Sequence, residues 1–160
     1  MGFGLPAAIG AKLASPERQV AAVIGDGGLA MSGMELLTLS REGIPITVFV
    51  FNDGYLNLIR VQQEREFGQS HAVRLHNPDM EALAEACGVG YACLDSDVRA
   101  RIRGVLDARA PSLVEVPLGE SAGMRWIRRR SRVKALARRT LGERLVEGIK
   151  QLRGKASPDP

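Results

Sequence analysis

Residues 19–28 read Gln19-Val20-Ala21-Ala22-Val23-Ile24-Gly25-Asp26-Gly27-Gly28. From Val20 to Ile24 every position is apolar over the length of one strand, which predicts a strand covered on both faces. Glycines and one aspartate follow at once. Glycine lets a backbone approach a ligand closely and turn its N–H groups toward an anion. An aspartate among such glycines would repel a phosphate unless a cation stood between them. Oxygen ligands beside phosphate point to magnesium or a similarly hard ion.

Alone, Gly-Asp-Gly is a common turn, but a second turn gives it weight. Residues 45–51 (PITVFVF) predict another strand, rich in β-branched and aromatic residues. Asn52-Asp53-Gly54 ends it with strong turn chemistry. One strand–helix–strand crossover between Asp26 and Asp53 sets the two turns side by side. Two carboxylates and a main-chain carbonyl can then share one octahedral ion, with diphosphate oxygens completing its shell.

Outward from these turns the pattern alternates. Residues 5–14 predict a short apolar helix, closed by Ser15-Pro16-Glu17. Ser32 and Glu35 form a capping-box pair for a helix running to about Arg41, with Gly43 as its terminal glycine. Tyr55 to about Glu66 has helical spacing, and residues 67–77 predict a loop. Asn77-Pro78-Asp79 opens a further helix with proline at its first position, packed through Met80, Leu83, Ala84 and Cys87 and ending at Gly88. Residues 90–94 and 112–117 predict two more strands, flanking a helix capped by Ser96 or Asp97 and running to about Ala108. The expected fold class is α/β: a three-layer, mostly parallel sheet with helices on both faces. Such sheets bind ligands at the C-terminal edge of their strands, where both acidic turns fall.

The Gly-Asp-Gly turn, the Asn-containing turn about 25 residues on, and the opening MGFGLPAAIGAKLA together resemble the thiamine-diphosphate-binding motif of acetolactate synthases and related 2-oxo acid decarboxylases. The resemblance covers about residues 1–118. It implies the thiamine-diphosphate-binding fold, with thiamine diphosphate and Mg2+ as cofactors. It implies Asp26 and Asp53 as metal ligands, with the main-chain oxygen of Tyr55 as the third. Asp53 departs from the usual asparagine of an Asn-Asn pair, although catabolic acetolactate synthases look similar there. Gly27, Gly28 and the backbone of Tyr55, Leu56, Asn57 and Leu58 would line the diphosphate. Met1 would prop the cofactor into its bent form, and Met31 would lie near the pyrimidine side. The implied activity is decarboxylation or carboligation of a 2-oxo acid, with the chemistry carried by the cofactor.

The family's general acid is a glutamate in a separate pyrimidine-binding domain of a partner subunit. No residue of this chain takes that role, so no catalytic residue is assigned. The expected partners are that domain or subunit in a homo- or hetero-oligomer, and a 2-oxo acid substrate. Alone, the chain is expected to turn over little. A different class of reading makes it a non-catalytic cofactor-binding or assembly module, attached through its basic tail.

The charge pattern fits a domain plus a tail. Residues 1–123 carry ten Lys/Arg against fifteen Asp/Glu, and residues 124–160 carry twelve against three. Domain boundaries are expected at 1–120 for the cofactor domain, 121–154 for a basic amphipathic helix, and 155–160 for a disordered end. Leu136, Leu141, Leu145, Ile149 and Leu152 recur along that helix among arginine clusters. It would pack on the domain or a sister subunit, or touch an anionic membrane. Nucleic-acid binding is disfavoured.

Gly2-Phe3-Gly4 follows no strand and lacks the spacing of a dinucleotide fingerprint. His71 and His76 have no nearby cysteine, which speaks against zinc. Gln62, Gln63, Glu64 and Arg65 read as a solvated helix face. Cys87 and Cys93, the only cysteines, read as buried thiols of a cytoplasmic protein. The chain's start lacks the basic region of a signal peptide, and no apolar run reaches membrane-spanning length.

Overall fold

In a computed structural model of the protein, residues 1–119 are described. The elements are α1 (Gly4–Ala14), β1 (Val20–Gly25), α2 (Asp26–Ser32), a 3-10 turn (Gly33–Glu35), α3 (Leu36–Arg41), β2 (Ile46–Asn52), α4 (Asn57–Phe67), α5 (Met80–Cys87), β3 (Gly90–Cys93), α6 (Val98–Asp107) and β4 (Ser112–Pro117). The boundary at 120, the basic helix at 121–154 and the end at 155–160 lie outside the described residues. The described chain divides into a larger unit, Met1–Leu56 with Arg74–Gly119, and a segment Asn57–Val73 that holds α4.

The larger unit is built on a four-stranded, wholly parallel sheet in the order β1-β2-β4-β3. The α/β class and parallel sheet are as expected. In β2 the consecutive residues Ile46, Thr47 and Val48 are all buried, as are Ser112, Leu113 and Val114 in β4. Successive strand residues point to opposite faces, so these central strands are covered on both. α1 packs on β1 and β2, and α5 on β3 and β4. The core joins Leu5, Leu29, Leu36, Leu39, Ile46, Val48, Val50 and Leu113, each burial worth roughly 1.5–3 kcal/mol.

β1 departs from the expectation of a doubly covered strand. It lies at the edge, with Ala22 buried while Ala21 and Val23 face outward, Val23 being 67% exposed. An apolar run shows that a segment is extended, and β1 shows that it does not say how many faces are covered.

Several local expectations are also revised. Ser32 does stand at the start of a helical stretch, as the N-cap of the 3-10 turn Gly33–Glu35 that leads directly into α3, but without the expected side-chain bond. α2 begins at Asp26, directly after the strand. The glycine-rich stretch thus ends β1 at Gly25 and starts a helix at once. The chain then tightens into the 3-10 turn, where Glu35 accepts a hydrogen bond from the Thr38 hydroxyl at 2.9 Å instead of reaching back to Ser32. α3 does end as expected, with Gly43 at φ +60° just beyond it. α5 starts after Asp79, whose carboxylate caps the helix by accepting from the Ala82 N–H at 2.9 Å. Pro78 thus stands outside the helix. Met80, Ala84 and Cys87 are its buried residues, as expected, and Gly88 closes it at φ +68°. Asp97 precedes α6 but makes no side-chain capping bond.

In the segment Asn57–Val73, α4 starts two residues later than expected. Gln62 and Arg65 are exposed, but Glu64 and Arg60, one turn apart, are buried, so the fully solvated face is corrected. The Gln63 side-chain oxygen accepts from the His71 N–H at 2.9 Å. His71 and His76 are both exposed. Cys87 is buried and Cys93 only half-buried, so burial holds for one thiol alone. Among the described residues, no helix is long and apolar enough to cross a membrane.

Candidate cofactor site

β1 and β2 pair in register from Val20–Ile46 through Gly25–Phe51, so their C-terminal ends finish level. Asp26 and Asp53 are therefore carried on adjacent turns at one edge of the sheet. The junction is direct: the Gly54 N–H, immediately after Asp53, donates to Asp26 Oδ2 at 2.9 Å. Gly54 has φ +71°, a left-handed conformation that glycine adopts without penalty. Asp53 Oδ1 accepts from the Tyr55 N–H at 3.0 Å, an Asx turn that shapes the second turn around its own carboxylate.

Asp26 is 4% exposed. Its Oδ1 accepts from the Gly27 N–H at 2.8 Å, and its Oδ2 from both Gly54 and the Asn77 side chain, the latter at 2.7 Å. All three donors are neutral N–H groups. They fix the carboxylate's direction and leave its charge uncancelled, as suits a cation ligand. No group of three or more His, Cys, Asp or Glu side chains capable of holding a metal occurs among the described residues. A site with two carboxylates and a carbonyl is not of that kind, and its donors are the hard oxygens that suit magnesium.

Gly27 forms a floor beside this carboxylate. A Cβ there would meet Leu56 Cδ2 at 2.7 Å, Met1 Cε at 2.9 Å and Leu75 Cδ1 at 3.5 Å. A side chain there would have to displace the flexible ends of Met1 and Leu56, which converge over the same spot. Met1 itself is 69% exposed. Gly28 follows in the first turn of α2, partly exposed. Met31, on the same helix, approaches Gly2 and lines a cavity of about 280 Å³ with Met34, Met80, Leu83, Asp26 and Asn77.

The expected diphosphate lining divides between the units. Tyr55 and Leu56 belong to the larger one. Asn57 and Leu58 open α4 in the other, where Asn57 Oδ1 accepts from Arg60 Nε at 3.0 Å and Leu58 is exposed.

Sequence reasoning overlooked Asn77, which it placed only as part of a helix start. The segment before α5 runs back across the β2 turn: Tyr55 and Arg74 form an antiparallel bridge, and the Leu75 N–H donates to the Gly54 carbonyl at 2.8 Å. That return delivers Asn77 between Asp26 and Asn52. No local signal marks it, because the pairing joins loops about 20 residues apart. Asn52 Oδ1 accepts the second Asn77 N–H at 2.8 Å, and Asn52 Nδ2 donates to Glu115 Oε1 at 2.7 Å. Glu115 Oε2 accepts from the Tyr91 hydroxyl at 2.7 Å. Burial, together with the hydrogen bond and charge of Glu115, holds the Tyr91 phenol well above its ordinary pKa.

The profile of the thiamine pyrophosphate enzyme C-terminal TPP binding domain matches residues 1–116. The acetolactate synthase large subunit of Lactococcus lactis is 40% identical over 76% of this chain and 22% of its own length. Acetolactate synthase 2, chloroplastic, of Nicotiana tabacum is 38% identical over 72% of this chain and 19% of its own. A probable acetolactate synthase large subunit of Methanocaldococcus jannaschii is 35% identical, covering 72% and 20%. The chain thus spans about a fifth of the length of the curated relatives it matches. With a parallel sheet that ends in two linked acidic turns and a match across residues 1–116, the chain belongs to the thiamine pyrophosphate enzyme family, as a C-terminal TPP-binding domain of the acetolactate synthase-like kind.

Proposed function

We propose that this chain binds thiamine diphosphate through Mg2+ as the cofactor domain of an enzyme that decarboxylates or carboligates 2-oxo acids. Asp26, Asp53 and the main-chain oxygen of Tyr55 hold the metal. Gly27, Gly28 and the backbone of Tyr55, Leu56, Asn57 and Leu58 receive the diphosphate. Met1 and Met31 flank the organic part of the cofactor. The observation that carries the reading is the 2.9 Å hydrogen bond from Gly54 to Asp26, which ties the two acidic turns together at one sheet edge.

When bound, the cofactor supplies a thiazolium carbon able to add to a carbonyl and accept electrons as carbon dioxide leaves. The residues of this chain bind and orient. The start of α2 lies where an anion is favoured, and the missing side chain of Gly27 leaves room for Leu56 and Met1 to pack beside Asp26. The two aspartates hold the metal and take no part in bond making. The general acid comes from the pyrimidine-binding domain of a partner subunit, so the working unit is an oligomer, and a cytoplasmic one.

Isothermal titration with thiamine diphosphate and Mg2+ tests this reading. Asp26→Ala is expected to abolish metal-dependent binding. Unchanged affinity in that variant would refute the assignment.

A further inference from the structure

We propose that Asn77 is a positioning residue for the metal site, a role that rests on the cofactor reading above. The amide nitrogen of Asn77 uses both of its hydrogens, one on Asp26 Oδ2 at 2.7 Å and one on Asn52 Oδ1 at 2.8 Å. Both acceptors are oxygens, so the orientation of the amide is determined: nitrogen inward, carbonyl away.

This single side chain links the ends of two strands. Asp26 follows β1 and Asn52 ends β2. From Asn52 the chain of bonds continues to Glu115 on β4 and then to Tyr91 on β3. Asp26, Asn77, Asn52, Glu115 and Tyr91 thus form one hydrogen-bonded series across all four strands of the sheet. Its far end is a phenol donating to a carboxylate, a charge-assisted bond at 2.7 Å. The near end is the buried carboxylate proposed to bind metal. Asn77 is the one link contributed by a loop, and its removal breaks the side-chain series, leaving the Gly54 N–H as the tie between Asp26 Oδ2 and the β2 turn.

Physical chemistry gives this arrangement a purpose. A carboxylate that ligates a metal must present one lone pair in a fixed direction, and groups that hold ligands in place commonly set metal affinity by 10–100-fold. Asn77 holds Asp26 Oδ2 from one side while Gly54 holds it from another. As an amide it can do this without bringing a competing positive charge, as lysine or arginine would. Aspartate at this place would set a second negative charge against Asp26 and would lack both donor hydrogens.

The test is Mn2+ binding to the full chain with thiamine diphosphate present, followed by electron paramagnetic resonance, together with thermal unfolding of the metal-free chain. Asn77→Ala is expected to weaken Mn2+ binding by roughly 10–100-fold and to change the line shape of the bound ion. Asn77→Ser, which keeps one donor, is expected to fall between the two. It also carries the test alone if the alanine variant does not fold. A lowered melting temperature with Mn2+ affinity within twofold of the unaltered chain would overturn the positioning role, since a merely structural residue behaves that way. Asp26→Ala is measured alongside. If Asp26→Ala abolishes Mn2+ binding while Asn77→Ala leaves it intact, only the positioning role fails. If the unaltered chain binds no Mn2+ that Asp26→Ala removes, the cofactor reading fails, and the role of Asn77 with it.

Discussion

Gly27 shows how much one missing methyl group decides. A Cβ there would press on the far ends of Leu56 and Met1, both flexible side chains able to swing aside. Gly27→Ala should therefore fold with little change in melting temperature, yet fill the floor of the cleft. We expect thiamine diphosphate to bind at least about tenfold more weakly to this variant, a cost of about 1.4 kcal/mol by titration calorimetry. Tyr91 makes a different point. Its phenol titrates in the unfolded chain at its ordinary value of 10.0, and burial beside Glu115 raises it in the folded one. A raised folded pKa stabilises the protonated form, so this contribution is complete below pH 10 and is lost as pH rises beyond it. Urea unfolding should show stability falling above pH 10, and Tyr91→Phe should flatten that fall. The same variant should lose about 1–3 kcal/mol at neutral pH, because Glu115 is left with one partner fewer.

At the scale of elements, α5 was the most legible helix and its stop the clearest local signal. Gly88 sits at φ +68°, and a Cβ there would fall 2.8 Å from Ser40 Oγ. Gly88→Ala should cost about 1–2 kcal/mol from the left-handed backbone alone, measurable as a shifted urea midpoint. All four strands were legible because apolar, β-branched runs between turn residues have few other solutions. The helix at Asp26 was not, because glycine and aspartate are poor helix residues that favour turns, and only the folded chain shows that the helix begins directly after β1. The two carboxylates were legible from their place after apolar strands. Asn77 was not, since its function comes from an antiparallel return of the chain that no spacing rule announces. The exposed face of β1 escaped sequence reasoning for a related reason: edge and centre are properties of the sheet, not of the strand.

For the whole molecule, the parallel sheet acts as a levelling device. It finishes β1 and β2 together, so that two turns far apart in sequence meet at one edge, and the hydrogen-bonded series from Asp26 to Tyr91 ties that edge across every strand. Magnesium is what this edge would need to accept a diphosphate, because the buried carboxylate of Asp26 alone repels one. The most direct measurement is the affinity of the full chain for thiamine diphosphate, titrated once with saturating Mg2+ and once with EDTA. The account predicts that binding with Mg2+ is tighter by at least about tenfold, or about 1.4 kcal/mol. Equal affinity under both conditions would contradict it.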